Sequence, residues 1–211
     1  MILVLDKPTW WFMEIPKTGT TAVCHAISKA PVTSVNPYEK HWPVDPPDWF
    51  IATNPKAMIS VRNPYSRAIS CWLWCYVYGC PATRSIACKG FDFWLKDALR
   101  NREKYSVTWL HDPANIVCLP QAFWLRQREY DFVLKQESLA NDFYAALYSI
   151  GVKKIPLHIS NAATQVKKLI ENVASKPWQS HYNTSARELV EELWAEDFEA
   201  LKPYYAGFER P

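Results

Sequence analysis

Glycine is scarce in this chain, and the position of one glycine restricts how the chain can bind a ligand. Only five of 211 residues are glycine, where an average chain of this length carries roughly 15. Residues 10–15 (WWFMEI) predict a short buried strand, and Thr20–Ala30 predicts a helix that Pro31 closes. Gly19 lies between them. Glycine this scarce excludes a G-x-G-x-x-G dinucleotide loop and directs attention to Gly19.

Strand-like and helix-like segments alternate along the rest of the chain. Further strands are predicted at 57–61 and 130–134, and helices are predicted at 65–77, 91–103, 119–128, 138–151, 164–174 and 185–203. Ser138 is expected to cap its helix, which ends at Gly151, and Ser185 with Glu188 forms a capping box for the last one. The alternation predicts an α/β three-layer fold of the P-loop-like type, with a central, mainly parallel sheet flanked by helices.

Length and composition set the expected organisation. The length fits a single domain over residues 1–211, with a Pro-rich loop at 31–56 and a Cys-containing loop at 78–90. A net charge of +3 is too small to indicate a nucleic-acid-binding protein. There is no leader pattern of basic residues followed by an apolar stretch, and no apolar run approaches 18 residues. We therefore expect a soluble cytoplasmic protein without a membrane span.

Four of the six cysteines fall between positions 71 and 88. Their spacing, C-x3-C-x4-C-x7-C, lacks the C-x2-C pairs of ordinary zinc sites, and Cys71 and Cys75 are four residues apart in a predicted helix. A disulfide within 75–88 is disfavoured in a reducing compartment. We expect no metal site here.

Residues 15–21 (IPKTGTT) join the first predicted strand to the first predicted helix, which is where a phosphate cradle belongs. Gly19 allows a tight turn, and the N–H groups at the helix start attract anions. Lys17 adds a positive charge, and Thr20 and Thr21 add hydroxyl donors. Because Lys17 precedes Gly19, the segment is not a Walker A loop and predicts a phosphate ligand other than ATP–Mg²⁺. The alternative is an ordinary strand–turn–helix with a capping threonine.

Arg62 follows the second predicted strand, at the edge where ligands of open α/β sheets bind. Arginine is well shaped for bidentate contact with phosphate. Ser70, in the first turns of the next helix, is placed to share the same anion. Taken alone, an arginine at a strand end fits a carboxylate partner equally well.

Together, PKTGTT and the strand-Arg62-Asn63-Pro64…Ser70 pattern resemble the sulfotransferases that use 3′-phosphoadenosine 5′-phosphosulfate (PAPS), especially the carbohydrate branch. Weaker similarity continues through Leu119-Pro120-Gln121, residues 130–143 and the stretch after Tyr182, so that it covers most of residues 10–208. The resemblance implies transfer of a sulfuryl group to a hydroxyl or amine of a small-molecule or carbohydrate acceptor, with 3′,5′-adenosine bisphosphate as product.

The resemblance also implies roles for individual residues. Pro16 belongs to the 5′-phosphosulfate loop, in which Lys17 would offset charge on the leaving oxygen. The 5′-phosphate would be held by backbone and hydroxyl donors of Thr18, Gly19, Thr20 and Thr21. Arg62 and Ser70 would hold the 3′-phosphate and favour PAPS over ATP. No metal is needed, because Lys17 supplies the positive charge that Mg²⁺ supplies in kinases.

An acceptor hydroxyl needs a proton acceptor, and histidine is the commonest. The relatives place their base between the two cofactor motifs, where His41 lies with Glu39 nearby to orient it or share the work. The alternative is a surface histidine. His158 lies where relatives close over the cofactor. Trp42 and Trp49 would either stack on an acceptor or pack inward.

Two other functions remain open from the sequence. One is a small P-loop kinase or phosphotransferase. The order of Lys17 and Gly19 argues against it, and so does the lack of an obvious acidic residue at a strand end to bind Mg²⁺. The other is a non-catalytic nucleotide- or carbohydrate-binding module. The relatives often have a membrane anchor, and its absence favours a bacterial or viral enzyme and makes a polysaccharide acceptor less expected. Replacing Gly19 by valine is expected to abolish cofactor binding while sparing the fold.

Overall fold

The computed structural model describes residues 1–37, 45–78, 81–99, 117–126, 128–153, 155–157 and 176–211. Over these ranges the chain is mixed α/β, and its internal contacts define two compact units. The first unit comprises Met1–Arg62 and Gln121–Ser160, and the second comprises Asn63–Pro120 and Asn161–Pro211. The single domain expected over residues 1–211 stays a prediction.

The first unit contains an open sheet of five strands in the order β3-β1-β2-β4-β5. The strands are Ile2–Val4 (β1), Trp10–Met13 (β2), Ser34–Val35 (β3), Lys56–Val61 (β4) and Phe132–Lys135 (β5). The three strands predicted from the sequence are β2, β4 and β5, which are adjacent and parallel. In contrast, β1 pairs antiparallel with both β2 and β3.

The sheet of the described residues is therefore mixed and not mainly parallel, with two parallel and two antiparallel strand pairs. Strands β1 and β3 were not predicted from the sequence. Strands of three and two residues are too short to show a hydrophobic period, so only pairing with neighbouring strands defines them.

The helices in chain order are Thr20–Lys29 (α1), Asp48–Ile51 (α2), Pro64–Tyr78 (α3), Pro81–Ala87 (α4), Phe91–Trp94 (α5), Ala122–Leu125 (α6), Leu139–Ser149 (α7), Thr184–Leu193 (α8) and Ala195–Leu201 (α9). A π-helical turn, Leu95–Leu99, follows α5. The helix predicted at 119–128 is only the four residues of α6, and the one predicted at 164–174 lies outside the described residues. None of the described helices is long and apolar enough to cross a membrane.

Both segments predicted as loops contain regular structure. β3 and α2 lie within residues 31–56, and α4 occupies much of residues 78–90. The prediction treated proline as a loop signal, but proline is well tolerated at helix starts. Pro47 directly precedes α2, and Pro81 is the first residue of α4.

Two predicted helix caps differ from the structure. Ser138 precedes α7, but its hydroxyl donates to Asp142 (2.9 Å) and does not cap the backbone. At α8 the cap is Asn183, whose side-chain oxygen accepts the Ala186 N–H at 2.8 Å, so the expected capping role of Ser185 is wrong. The last predicted helix is also split in two at Trp194, a break that an unbroken apolar stripe conceals.

One face of the sheet packs against α1 and α7 in the core of the first unit. Alternate residues of the strands, such as Trp10 and Phe12, point to this face together with Val23 of α1 and Phe143 of α7. Burying side chains of this size contributes about 1.5–3 kcal/mol each. The core fixes α1 behind β2 and therefore holds the connection between them in place.

The core of the second unit encloses a charged residue, Arg67 of α3. This side chain is fully buried and lies 3.8 Å from the carboxylate of Asp197, also fully buried. Its guanidinium donates to the carbonyls of Leu119 (2.8 Å) and Val117 (3.2 Å) and stands 4.8 Å above the ring centre of Trp194. Paired in this way, the charge is compatible with burial.

Among the described cysteines of the second unit, three are buried as free thiols: Cys71, Cys75 and Cys118. A hydrogen bond with Cys75, together with burial, raises the pKa of the Cys118 thiol. No cluster that could hold a metal ion is found among the described residues.

Candidate functional site

The loop between β2 and α1 has an unusual backbone. Lys17 has φ of 68° and Gly19 has φ of 89°, so left-handed residues lie on both sides of Thr18. Glycine adopts this conformation readily, whereas for lysine it is uncommon and costs free energy. Strained backbone concentrates at ligand-binding sites, and successive N–H groups in such turns form anion-binding concavities.

The Thr18 side chain holds the loop against the neighbouring strand. Its hydroxyl donates to the carbonyl of Ile15 at 2.9 Å and lies 2.7 Å from the hydroxyl of Ser60 on β4. Thr18 and Ser60 are both fully buried. Since the single hydroxyl proton of Thr18 goes to Ile15, the backbone N–H of Thr18 is what remains for the predicted phosphate contact.

Gly19 lies directly against the start of α7. A Cβ atom at Gly19 would stand 2.6 Å from Cδ2 of Leu139 and 3.5 Å from Cγ of Gln136. Leu139 belongs to the buried core of the first unit. Glycine is therefore required here by both conformation and space. A valine at this position would disturb the core, so the expectation that it spares the fold is wrong.

The amino end of α1 opens at this loop. The Ala22 N–H bonds the carbonyl of Gly19 at 3.0 Å. Among the hydrogen bonds found in the described part of the chain, none uses the N–H groups of Gly19, Thr20 or Thr21. No acidic residue lies in the first turn of this ten-residue helix. The start of the helix therefore brings its first-turn N–H groups and the positive end of its dipole to the loop.

Arg62 brings a second positive charge to the same edge. It directly follows β4, whose parallel pairing with β2 places the carboxyl ends of both strands together. Its Nη1 donates to the carbonyl of Lys17 at 3.3 Å. The fold thus brings Arg62 to the 15–21 loop, although 45 residues separate Arg62 from Lys17 along the chain.

Gln121 fixes the backbone of Arg62. Its side-chain oxygen accepts the Arg62 N–H, and its side-chain nitrogen donates to the Arg62 carbonyl, each at 2.8 Å. Gln121 is fully buried. Sequence analysis assigned no role to Gln121, Ser60 or Leu139. A lone polar residue in the apolar strand 57–61 is the available signal for Ser60. Gln121 and Leu139 lie in segments that carry the weaker family similarity, but that similarity assigns a role to neither.

The remaining predicted residues are not all brought to this site. Ser70 lies on α3 in the second unit, where it is half-buried, so its pairing with Arg62 stays a prediction. His41, Glu39, Trp42 and His158 lie outside the described residues.

Among the tryptophans, Trp49 is 58% exposed, and its ring meets Phe50 edge to face with ring centres 5.7 Å apart. Inward packing is therefore wrong for Trp49. Trp72 and Trp194, in contrast, are buried.

Chemically, the described part of the site suits a phosphate or phosphosulfate group. It offers backbone donors, a helix amino end, Lys17 and Arg62. No protein-family model, curated protein or solved structure matches the chain.

Proposed function

We propose that the chain is a PAPS-dependent sulfotransferase with a three-layer P-loop-like fold. The observation that carries the proposal is the left-handed backbone at Lys17 and Gly19, which opens the amino end of α1 beside the Arg62 guanidinium. A structural turn alone does not call for a strained lysine. The PKTGTT resemblance supplies the particular ligand.

In this proposal the loop holds the 5′-phosphosulfate. The N–H groups of residues 18–21 and the hydroxyls of Thr20 and Thr21 bind its oxygens, and Gly19 leaves room for close approach of the backbone. Lys17 offsets charge on the oxygen from which the sulfuryl group departs, a contact worth a few kcal/mol when preorganised. Bound PAPS supplies the sulfuryl group.

Arg62 with Ser70 is proposed to bind the 3′-phosphate, and this contact selects PAPS over ATP. Arginine makes charge-assisted bonds to phosphate, which are about twice as strong as neutral ones. The acceptor is proposed to be a small molecule or carbohydrate bearing a hydroxyl or amine. His41, oriented by Glu39, is the proposed base.

The first experiment measures thermal stabilisation of the purified chain by nucleotides. We expect stabilisation by 3′,5′-adenosine bisphosphate but not by ADP. At about 100 Kd of ligand the gain is about 2.7 kcal/mol, or roughly 5–10 °C for a chain of this size. Equal stabilisation by both nucleotides would refute selection through the 3′-phosphate.

Variants show whether the signal comes from the proposed site. Lys17→Ala and Arg62→Ala should weaken binding. Lys56→Ala is the matched control because Lys56 begins the same strand that Arg62 follows and pairs with Asp131 at 2.6 Å. If all three variants lost binding equally, the ligand would not occupy the loop.

A transfer assay with labelled PAPS or ATP separates the functions that the sequence left open. Sulfuryl transfer to members of a panel of sugars, phenols and amines supports the proposal. ATP-dependent, Mg²⁺-requiring transfer indicates a kinase instead. Nucleotide binding without any transfer indicates a binding module.

The assignment of the base has its own test. His41→Ala is expected to retain binding of 3′,5′-adenosine bisphosphate while transfer collapses by about 10²–10⁴-fold, the usual contribution of general base catalysis. Near-full turnover in this variant would exclude His41 as the base.

A further inference from the structure

Gln121 makes a two-point contact with a single residue at the end of a strand. β4 pairs with β5 up to Val61, and Arg62 lies one residue beyond that ladder. The side-chain amide of Gln121 bonds both the N–H and the carbonyl of Arg62. It thus continues the hydrogen bonding that a neighbouring strand would otherwise provide.

This contact determines the direction in which the Arg62 side chain leaves the sheet. With both polar groups of its backbone bonded, Arg62 has a fixed Cα–Cβ vector, while its long side chain remains only partly buried. The guanidinium then reaches the carbonyl of Lys17. A small change in the backbone angles of Arg62 produces a larger displacement at the end of its long side chain. If the backbone of Arg62 were not held, its guanidinium would therefore occupy a wider range of positions.

We infer that Gln121 is a positioning residue that sets the selectivity of the site for a 3′-phosphorylated adenine nucleotide by fixing the backbone of Arg62. The inference rests on the proposed function, in which Arg62 binds the 3′-phosphate. Gln121 itself does not touch the nucleotide. Its effect should therefore appear as a change in selectivity and not as a general loss of binding.

The experiment measures Kd for 3′,5′-adenosine bisphosphate and for AMP, which lacks the 3′-phosphate. In Gln121→Met, binding of the bisphosphate should weaken about tenfold, the equivalent of losing one charge-assisted hydrogen bond. AMP binding should change less than about twofold, since the 5′-phosphate loop is retained. Gln121→Asn, whose amide is one methylene shorter and so holds the Arg62 backbone less tightly, should show a smaller loss of bisphosphate binding and serves if Gln121→Met does not fold.

Asp131→Ala is the matched control. Asp131 bonds the backbone N–H of Ala57 at 2.8 Å, near the opposite end of β4. Its loss should lower stability without changing the ratio of the two Kd values. In an Arg62→Ala background, Gln121→Met should also leave this ratio unchanged, because Gln121 acts through Arg62.

The outcomes separate the two proposals. A wild-type chain that binds both nucleotides equally or neither of them overturns the proposed function, and the inference with it. A selective wild-type chain whose Gln121 variants lose both nucleotides to the same degree overturns the inference alone. The inference alone is also overturned if Gln121→Met changes the ratio of the two Kd values in the Arg62→Ala background.

Discussion

Replacing Gly19 by alanine tests the geometry of the loop directly. The substitution adds one carbon atom, so its effects can be worked out from the structure. Gly19 has φ of 89°, and the added Cβ would stand 2.6 Å from Cδ2 of Leu139. Two independent costs are therefore expected, one from the backbone and one from the contact.

The backbone cost is about 1–2 kcal/mol, the usual penalty for a non-glycine residue in the left-handed region. The contact cost is about 1–3 kcal/mol, because Leu139 is buried and must shift within a packed core. Together they lower the free energy of unfolding by about 2–5 kcal/mol, a large fraction of the 5–15 kcal/mol that is typical of a folded domain.

Gly151→Ala is the control in the same unit. Gly151 has φ of 76°, but nothing lies within 4 Å of its added Cβ. Only the backbone cost applies, about 1–2 kcal/mol. Urea unfolding should thus give midpoints that differ by about 0.5–1.5 M between the two variants, for a slope of about 2 kcal/mol per M.

A double variant isolates the contact. In a Leu139→Ala background the clash is absent, and Gly19→Ala should then cost only about 1–2 kcal/mol. The reasoning is refuted if Gly19→Ala is no more destabilising than Gly151→Ala, or if its cost is the same with and without the Leu139 side chain.

Three further predictions concern the same unit. Lys17→Gly should raise the free energy of unfolding by about 1 kcal/mol by relieving backbone strain while transfer is lost, as urea unfolding and a PAPS assay would show. Thr18→Val should cost about 1–3 kcal/mol because the carbonyl of Ile15 loses its donor, whereas Thr18→Ser should cost less in the same urea assay. Burial favours a raised pKa for Asp131, but bonds from the Ala57 N–H and Lys56 outweigh it and lower the pKa. Asp131 therefore stabilises the fold above its unfolded pKa of about 3.9, and the advantage of wild type over Asp131→Asn should shrink in unfolding curves as pH falls below about 4.

Local sequence pattern was sufficient for the elements that carry the site. β2, β4 and β5 were predicted as apolar runs, and α1, the long helix α3 and the glycine after α7 were close to their observed positions. Each is defined by residues that are neighbours in sequence. The break between α8 and α9 at Trp194 was not predicted, because the apolar stripe of the sequence continues across it. The position of the Trp194 indole beneath Arg67 depends on tertiary packing, which the local pattern does not show.

In the Cys-containing segment and the Pro-rich segment, local composition was also an insufficient guide to structure. Their composition indicated loops, yet α4, α2 and β3 form there. Among the described residues, five tryptophans are fully buried: Trp10, Trp11, Trp94, Trp124 and Trp194. Trp10 belongs to the core of the first unit, and Trp94 and Trp194 belong to the core of the second.

By itself, the sequence determined the elements around the candidate anion site, because one glycine beside Lys17 joins a strand to a helix and Arg62 follows another strand. Only the tertiary structure decided how these parts are held. Parallel pairing of β2 and β4 brings Arg62 to Lys17, Ser60 anchors Thr18, and Leu139 lies where a side chain at Gly19 would begin. These contacts join residues 42 to 120 positions apart. No local pattern encodes them, because which residues meet depends on how the strands pair.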